Sequence, residues 1–127
     1  PPMNFLQISK TGRKLMFGDG QSAPATGKLA ELADGRYTAG FRPNHLEIFQ
    51  HTPDAMEFTT RLAVTELTGS ETFVHLDHHG ERWVGLLLGV HDLPLGEPLK
   101  VWLNPAHVYI FGEDGHLVAP AAYALAA

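Results

Sequence analysis

Cysteine is absent from the 127 residues of this chain. This absence excludes disulfide frameworks, cysteine-ligated zinc sites and thiol catalysis. The sequence also has no apolar run that approaches the roughly 20 residues needed for a membrane-spanning helix. Hydrophobic residues make up 44% and charged residues 18% of the chain, a balance that is typical of a globular domain and excludes a wholly disordered one.

Positive charge is scarce. Nine Lys and Arg residues against fourteen Asp and Glu residues give a formal net charge of -5. Because binding to a phosphate backbone requires concentrated positive charge, we do not expect nucleic acid as a partner. The length predicts one domain over residues 1–127. The opening Pro1-Pro2-Met3 leads us to expect a trimmed product or a piece of a longer protein.

Helical periodicity is almost absent, whereas thirteen Gly and nine Pro residues punctuate short apolar segments. Strands of this length and spacing predict an all-β sandwich or barrel. Residues 18–27, rich in Gly, Ser, Pro and Ala, are predicted to form a loop. The predicted strands cover residues 5–9, 13–17, 36–42, 46–49, 58–67, 70–77, 81–88, 98–103 and 107–111.

A weak internal repeat connects the two halves of the chain. Residues 41–49 (FRPNHLEIF) and 103–111 (LNPAHVYIF) share Pro, His, Ile and Phe at the same spacing. Upstream, residues 5–14 and 73–82 each resemble a hairpin that turns at glycine. The repeat predicts two similar β units, each ending in an x-Pro-x-His corner whose proline fixes the backbone. Chance similarity between two amphipathic hairpins is the alternative.

Motifs for nucleotide or nucleophile chemistry are missing. Gly27-Lys28 is followed by Leu29, and Ser22 occupies the position of the first glycine, so the phosphate-loop pattern fails. Ser70 lacks the second glycine of a nucleophile elbow and is predicted to form a turn with Gly69. The carboxylates of the middle strands are interpreted as surface residues. We therefore expect no catalytic residue in this chain.

Histidines crowd the segment before Gly80. On a strand, His75, Asp77 and His79 would share one face, and imidazole with carboxylate suits zinc, nickel or copper. Residues 77–80 are equally consistent with the polar tip of a hairpin, which is the commoner arrangement. A metal site is therefore an open alternative here, and we commit to no metal or cofactor ligand.

Several motifs resemble the C-terminal regulatory region of carbohydrate-type ATP-binding-cassette (ABC) importer ATPases. Residues 40–46 (GFRPNHL) resemble its G-[IFV]-R-P-E-H-L element, with Asn44 in place of Glu. Residues 64–72 (VTELTGSET) resemble its strand and turn, and residues 103–111 resemble its closing strand. Residues 1–5 (PPMNF) resemble the junction where the nucleotide-binding domain ends. The resemblance covers almost the whole chain, in the expected order.

This resemblance implies an OB-like β-barrel, the transport-associated OB or TOBE domain. It implies an accessory and regulatory role in the homodimer of an ATPase subunit that imports sugars, polyols or glycerol phosphates. The implied partners are the nucleotide-binding domain of the same chain, a second copy of the subunit, a regulatory protein and, indirectly, the permease subunits. The implied location is cytoplasmic, at the inner face of the membrane. Mg-ATP would bind only the nucleotide-binding domain, so this chain itself would not be an enzyme.

Contact surfaces are predicted at the two corners and on the hairpin over residues 70–85. The alternatives are a small-ligand module, such as an oxyanion (molybdate) site, and an unrelated β-barrel binding protein. The small-residue motif of oxyanion sites is not apparent, and the negative net charge disfavours them. The candidate interaction or structural residues are Arg42, Pro43, His45, Gly69, Ser70, Glu71, Pro105 and His107.

Overall fold

The computed structural model describes residues 3–121. Pro1 and Pro2, which belong to the resemblance at the junction, lie outside the described residues. Within the described part, eleven strands alternate with three short 3-10 turns at Gly27–Leu29, Pro43–His45 and Pro105–His107. The strands are β1 (Asn4–Thr11), β2 (Lys14–Phe17), β3 (Ser22–Pro24), β4 (Gly35–Phe41), β5 (Leu46–Glu47), β6 (Met56–Thr68), β7 (Glu71–His78), β8 (Glu81–Leu88), β9 (Pro98–Leu103), β10 (Tyr109–Phe111) and β11 (Leu117–Ala119).

The strands form two antiparallel sheets. The first has the order β11-β10-β4-β1-β2-β3 and the second the order β5-β9-β6-β7-β8. Buried and more exposed residues alternate along β1, β7 and β8, because successive side chains of a strand point to opposite faces. The apolar faces of both sheets enclose one core, which confirms the all-β, OB-like architecture expected from the sequence.

The two halves of the chain exchange strands at the proline corners. After β4, the turn Pro43–His45 leads into β5, which pairs with β9 of the second sheet. After β9, the turn Pro105–His107 leads into β10, which pairs with β4 of the first sheet. Each unit thus contributes the strand that follows its corner, β5 or β10, to the sheet of the other unit. This reciprocal crossover supports the interpretation of the sequence as two similar β units.

The barrel is closed between β1 and β8 by side chains. The Asn4 amide donates to the carbonyl of Val84 and its oxygen accepts from the Val84 N–H, both at 2.8 Å. The Trp83 indole N–H donates to the Phe5 carbonyl at 3.0 Å. On β6, the register shifts between Leu62 and Val64 where its pairing passes from β9 to β7. Such a bulge bends a strand at a barrel corner.

Aromatic rings fill the centre of the core. Trp83 packs edge to face on Phe41 and Phe58, with ring centroids 5.2 and 5.4 Å apart. Phe17 packs on Phe58 in the same way. Because aromatic side chains bury large areas, this cluster joins the two sheets and positions the surface features described below.

The structure corrects three local predictions. Strand β3 lies inside the loop predicted over residues 18–27. It could not be predicted from the sequence, because it is only three residues long and contains Pro24. The predicted strand over residues 46–49 ends at Glu47, and Phe49 is 64% exposed. The predicted strand over 107–111 begins at Tyr109, because the 3-10 turn includes His107. Among residues 3–121, no helix is long and apolar enough to cross a membrane.

Candidate functional site

The two proline corners have matching local geometry. Arg42 and Asn104 are extended, and each is followed by a buried proline at the start of a 3-10 turn. The N–H of His45 donates to the Arg42 carbonyl at 3.0 Å, and the N–H of His107 donates to the Asn104 carbonyl at 2.9 Å. Proline suits this first position because its φ is already fixed and it has no N–H to leave unsatisfied.

The corner histidines meet across the crossover. The rings of His45 and His107 stack with centroids 4.2 Å apart and an interplanar angle of 26°. Desolvation, the charge of His107 and the charge of Arg42 together lower the pKa of His45. Since each of these effects disfavours the protonated ring, the neutral imidazole of His45 is favoured.

A shallow groove lies beside the first corner and brings residues from three elements together. Its volume is about 600 Å³. Gly69 and Ser70 form the neighbouring turn between β6 and β7. Arg42, Pro43 and Glu71 all line this groove, whereas the stacked rings of His45 and His107 do not. We call this feature the Arg42 groove, lined by Arg42, Pro43, Asn44, Glu71, Leu86 and Leu88.

The groove continues onto the outer face of the β7–β8 hairpin. Glu71 lies opposite Leu88, and Phe73 lies opposite Leu86. Leu88 is 81% exposed. The surface therefore combines apolar side chains with one cation, Arg42, and one carboxylate, Glu71. Such a surface suits contact with another polypeptide, whose apolar and charged groups it can match.

A family comparison identifies the domain. A sequence model described as the TOBE domain matches residues 39–111 of the chain, which include both proline corners and the whole Arg42 groove. The chain belongs to the TOBE domain family. This finding confirms the family resemblance drawn from the motifs.

Similar proteins are ATP-binding proteins of transporters. The sn-glycerol-3-phosphate import ATP-binding protein UgpC of Yersinia enterocolitica is 28% identical over 121 residues, which are 92% of this chain and 33% of UgpC. UgpC of Brucella abortus is 28% identical over 124 residues, or 94% of this chain and 32% of that protein. An uncharacterized ABC transporter ATP-binding protein, y4oS of Sinorhizobium fredii, is 31% identical over 86% of this chain and 29% of that protein. The chain thus spans about a third of the length of these relatives.

A solved structure shares the TOBE fold. The cytoplasmic molybdate-binding protein ModG, with molybdate bound, superposes with a TM-score of 0.61, covering 84% of this chain and 94% of ModG. The sequences are 12% identical, so this likeness concerns the fold alone.

The TOBE domain does not gather the histidine set considered for a metal. His75 bonds Glu66, with 2.6 Å between His75 Nε2 and Glu66 Oε1, and Asp77 bonds Arg82 at 2.9 Å. His79 follows the end of β7 in the turn, and its imidazole faces the other side of the hairpin. His75 and Asp77 therefore lie on one face of the hairpin, as strand alternation predicts, but His79 does not share that face.

A pair of polar side chains that was not predicted from the sequence lies beneath the same hairpin. His78 Nε2 is 2.9 Å from Oδ2 of Asp19, and the side chains are only 3% and 1% exposed. Asp19 lies in the turn between β2 and β3, 59 residues away in sequence. No local motif connects these positions, and the alternation of β7 gives only the weaker signal that His78 points inward.

Lys28 is held inside the TOBE domain as well. Its ammonium donates to the carbonyls of Val108 and Pro120, at 2.5 and 2.6 Å. Desolvation lowers the pKa of this lysine. It ties the first 3-10 turn to the residue that precedes β10 and to the residue that follows β11, and thus contributes to the fold.

Proposed function

We propose that this chain is the accessory domain that follows the nucleotide-binding domain in an ATP-binding subunit of an ABC importer. The observation that carries the proposal is the pattern of similarity. The relatives align with over 90% of this chain, yet the aligned part is about a third of their length. An alignment of this kind is expected for one domain of a larger ATPase. On this proposal the subunit works at the cytoplasmic face of the membrane, and Mg-ATP binds elsewhere in it.

The proposed cargo is sn-glycerol 3-phosphate or a related sugar or polyol. Two relatives from different organisms carry glycerol-3-phosphate import in their names. This domain would not select the cargo, because selection belongs to other subunits of such a transporter. Its proposed task is to support the homodimer of ATPase subunits and to receive regulatory contacts.

The Arg42 groove is the proposed contact surface. Leu88 is 81% exposed, although it lies next to the partly buried Leu86 side chain on an ordered sheet. Exposed apolar area of this kind has a free-energy cost that a partner surface would remove. Arg42 and Glu71 at the groove would fix the orientation of the partner through complementary charges.

A chimeric subunit tests this proposal. In Yersinia UgpC, the segment that aligns with this chain is replaced by the chain, and the purified chimera is examined for dimerisation and ATPase activity. Leu88→Glu in the groove should weaken the dimer or its regulated ATPase activity. Leu95→Glu is the matched control, because Leu95 is 60% exposed but lies outside the groove lining. Equal behaviour of both variants and the parent chimera would contradict the role of the groove.

Oxyanion binding is the competing function, and the fold shared with ModG is its support. Two observations weigh against it. The Lys28 ammonium already donates to two backbone carbonyls, and the net charge of the chain is -5. Thermal unfolding with and without molybdate separates the two proposals, since an anion that binds the native state raises the melting temperature.

A further inference from the structure

Three potential metal ligands converge below the β7–β8 hairpin. We propose that Asp19, His78 and His79 form a binding site for a divalent transition-metal ion, with Zn²⁺ as the best match. One ligand atom from each residue lies within 4.8 Å of the other two. No other group of three such side chains meets this distance in the described range 3–121. Two imidazoles with one carboxylate form a donor set that is common for zinc in proteins.

The distances are close to those of a coordinated ion. Asp19 Oδ2 is 2.9 Å from His78 Nε2 and 4.0 Å from His79 Nε2. Ligand atoms about 2 Å from a tetrahedral metal are separated by about 3.3 Å. Small rotations of the exposed His79 ring and a slight widening of the first pair would therefore admit the ion, with no movement of a strand.

Two of the ligands are already held in place. Oδ1 of Asp19 accepts the N–H of Gln21 at 2.8 Å, which leaves Oδ2 directed toward the histidines. The ring of His78 stacks on Trp83 with centroids 4.2 Å apart and meets the edge of Phe58. Contacts of this kind around metal ligands fix their orientation and strengthen binding.

The backbone of His79 is unusual. Its φ is +48°, followed by +84° at Gly80, so the two residues form the type of two-residue hairpin turn that favours Asn-Gly. A non-glycine residue at positive φ costs free energy unless its surroundings compensate. Here the strained position directs the imidazole of His79 back toward the buried carboxylate of Asp19, and a shared metal ion would provide the compensation.

Access and charge are also compatible with an ion. A cavity of about 100 Å³ opens at the cluster and is lined by Asp19, His78, His79 and Glu81 among others. On binding, Nε2 of His78 would coordinate the metal as part of a neutral imidazole whose proton lies on Nδ1, so the metal would replace the hydrogen that lies between Nε2 and Oδ2 of Asp19. Water or the carboxylate of Glu81 would complete a fourth position. The ion would then fasten the β2–β3 turn of one sheet to the β7–β8 hairpin of the other.

Metal titration of the full chain tests this site. Zn²⁺ at about 100 times its Kd should raise the melting temperature by about 5 °C or more, and EDTA should reverse the shift. Co²⁺ should give the visible absorption of a tetrahedral site. His79→Asn should lose both signals. Its metal-free melting temperature should stay equal or rise, since asparagine tolerates positive φ. Asp19→Asn is a second ligand variant, because its side-chain oxygen can still accept from Gln21.

The matched control is His75→Asn, on the same hairpin but bonded to Glu66. It should keep the full zinc shift and the cobalt absorption. Three results would overturn the proposal: no shift and no absorption in the parent chain, an undiminished response in both ligand variants, or a loss in His75→Asn that equals the loss in His79→Asn. None of these outcomes depends on whether the chain serves an importer.

Discussion

The imidazoles of His45 and His107 stack 4.2 Å apart where the two β units exchange the strands that follow their corners. Each ring follows a buried proline in an equivalent 3-10 turn, so the contact joins equivalent positions of the repeat. The pair therefore marks the pseudo-symmetric centre of the domain. Protonation of His45 adds positive charge where Arg42 already supplies one.

The first prediction concerns pH. Desolvation, His107 and Arg42 lower the pKa of His45 below its ordinary value of 6.5. Below about pH 6.5 the unfolded chain therefore binds more protons at this residue than the native one. The contribution of His45 to the free energy of unfolding should decrease as pH falls from 6.5 through the lowered native pKa, and it should be unchanged at higher pH.

Urea unfolding at several pH values, for the parent chain and for His45→Gln, checks this dependence. The glutamine variant should lose less stability between neutral and acidic pH than the parent chain. His107→Gln should show a smaller change in the same direction, because it removes one of the charges that act on His45. Parallel pH curves for the parent and His45→Gln would contradict the assignment.

The second prediction concerns barrel closure at Asn4. Asn4→Ala leaves the N–H and carbonyl of Val84 without the side chain that pairs with them. We expect a loss of about 2 kcal/mol in the free energy of unfolding, because buried polar groups lose their partners. Asn44→Ala is the control, since Asn44 is exposed, and it should change stability by less than about 0.5 kcal/mol. Similar values for the two variants would show that β1 and β8 do not depend on this pairing.

The third prediction concerns the close approach at Gly85. A Cβ added there would lie 2.9 Å from Val74 Cγ2 and 3.3 Å from Leu46 Cδ2, both in the core. Gly85→Ala should therefore destabilise the domain by about 1–3 kcal/mol through overpacking. At Gly18, an added Cβ meets nothing within 4 Å, so Gly18→Ala should be close to neutral. Thermal unfolding of the two variants measures this difference in stability. An unchanged melting temperature for Gly85→Ala would contradict the prediction, since it would mean that the core side chains shift to accommodate the added Cβ.

Much of the fold could be predicted from the sequence because its strands are amphipathic and bounded by glycine. The hairpin turns at Gly12, Gly69 and Gly80 all have positive φ, and each lies where the sequence pattern places a turn. Strands β3 and β11 were not predicted, because three residues are too few to show the alternation of apolar and polar side chains. They form only because neighbouring strands offer hydrogen bonds, which is information from tertiary structure.

The candidate site was less accessible to prediction. The motif around Arg42 is local in sequence. Its position beside Glu71 and Leu88, however, depends on how the β7–β8 hairpin packs against the first proline corner. The pairing of Asp19 with His78 spans 59 positions, and no periodicity relates a loop residue to an inward strand residue. Conversely, the alternation that grouped His79 with His75 failed because β7 ends at His78.

The proposed role in an importer is tested most directly by transport. The chimeric UgpC that carries this chain, assembled with its permease, should take up sn-glycerol 3-phosphate with ATP hydrolysis. UgpC from which the aligned segment has been deleted should be impaired, and the chimera should exceed it clearly. Uptake by a stable, folded chimera that is no greater than uptake by the deletion would contradict the assignment of this chain as the accessory domain of such a subunit.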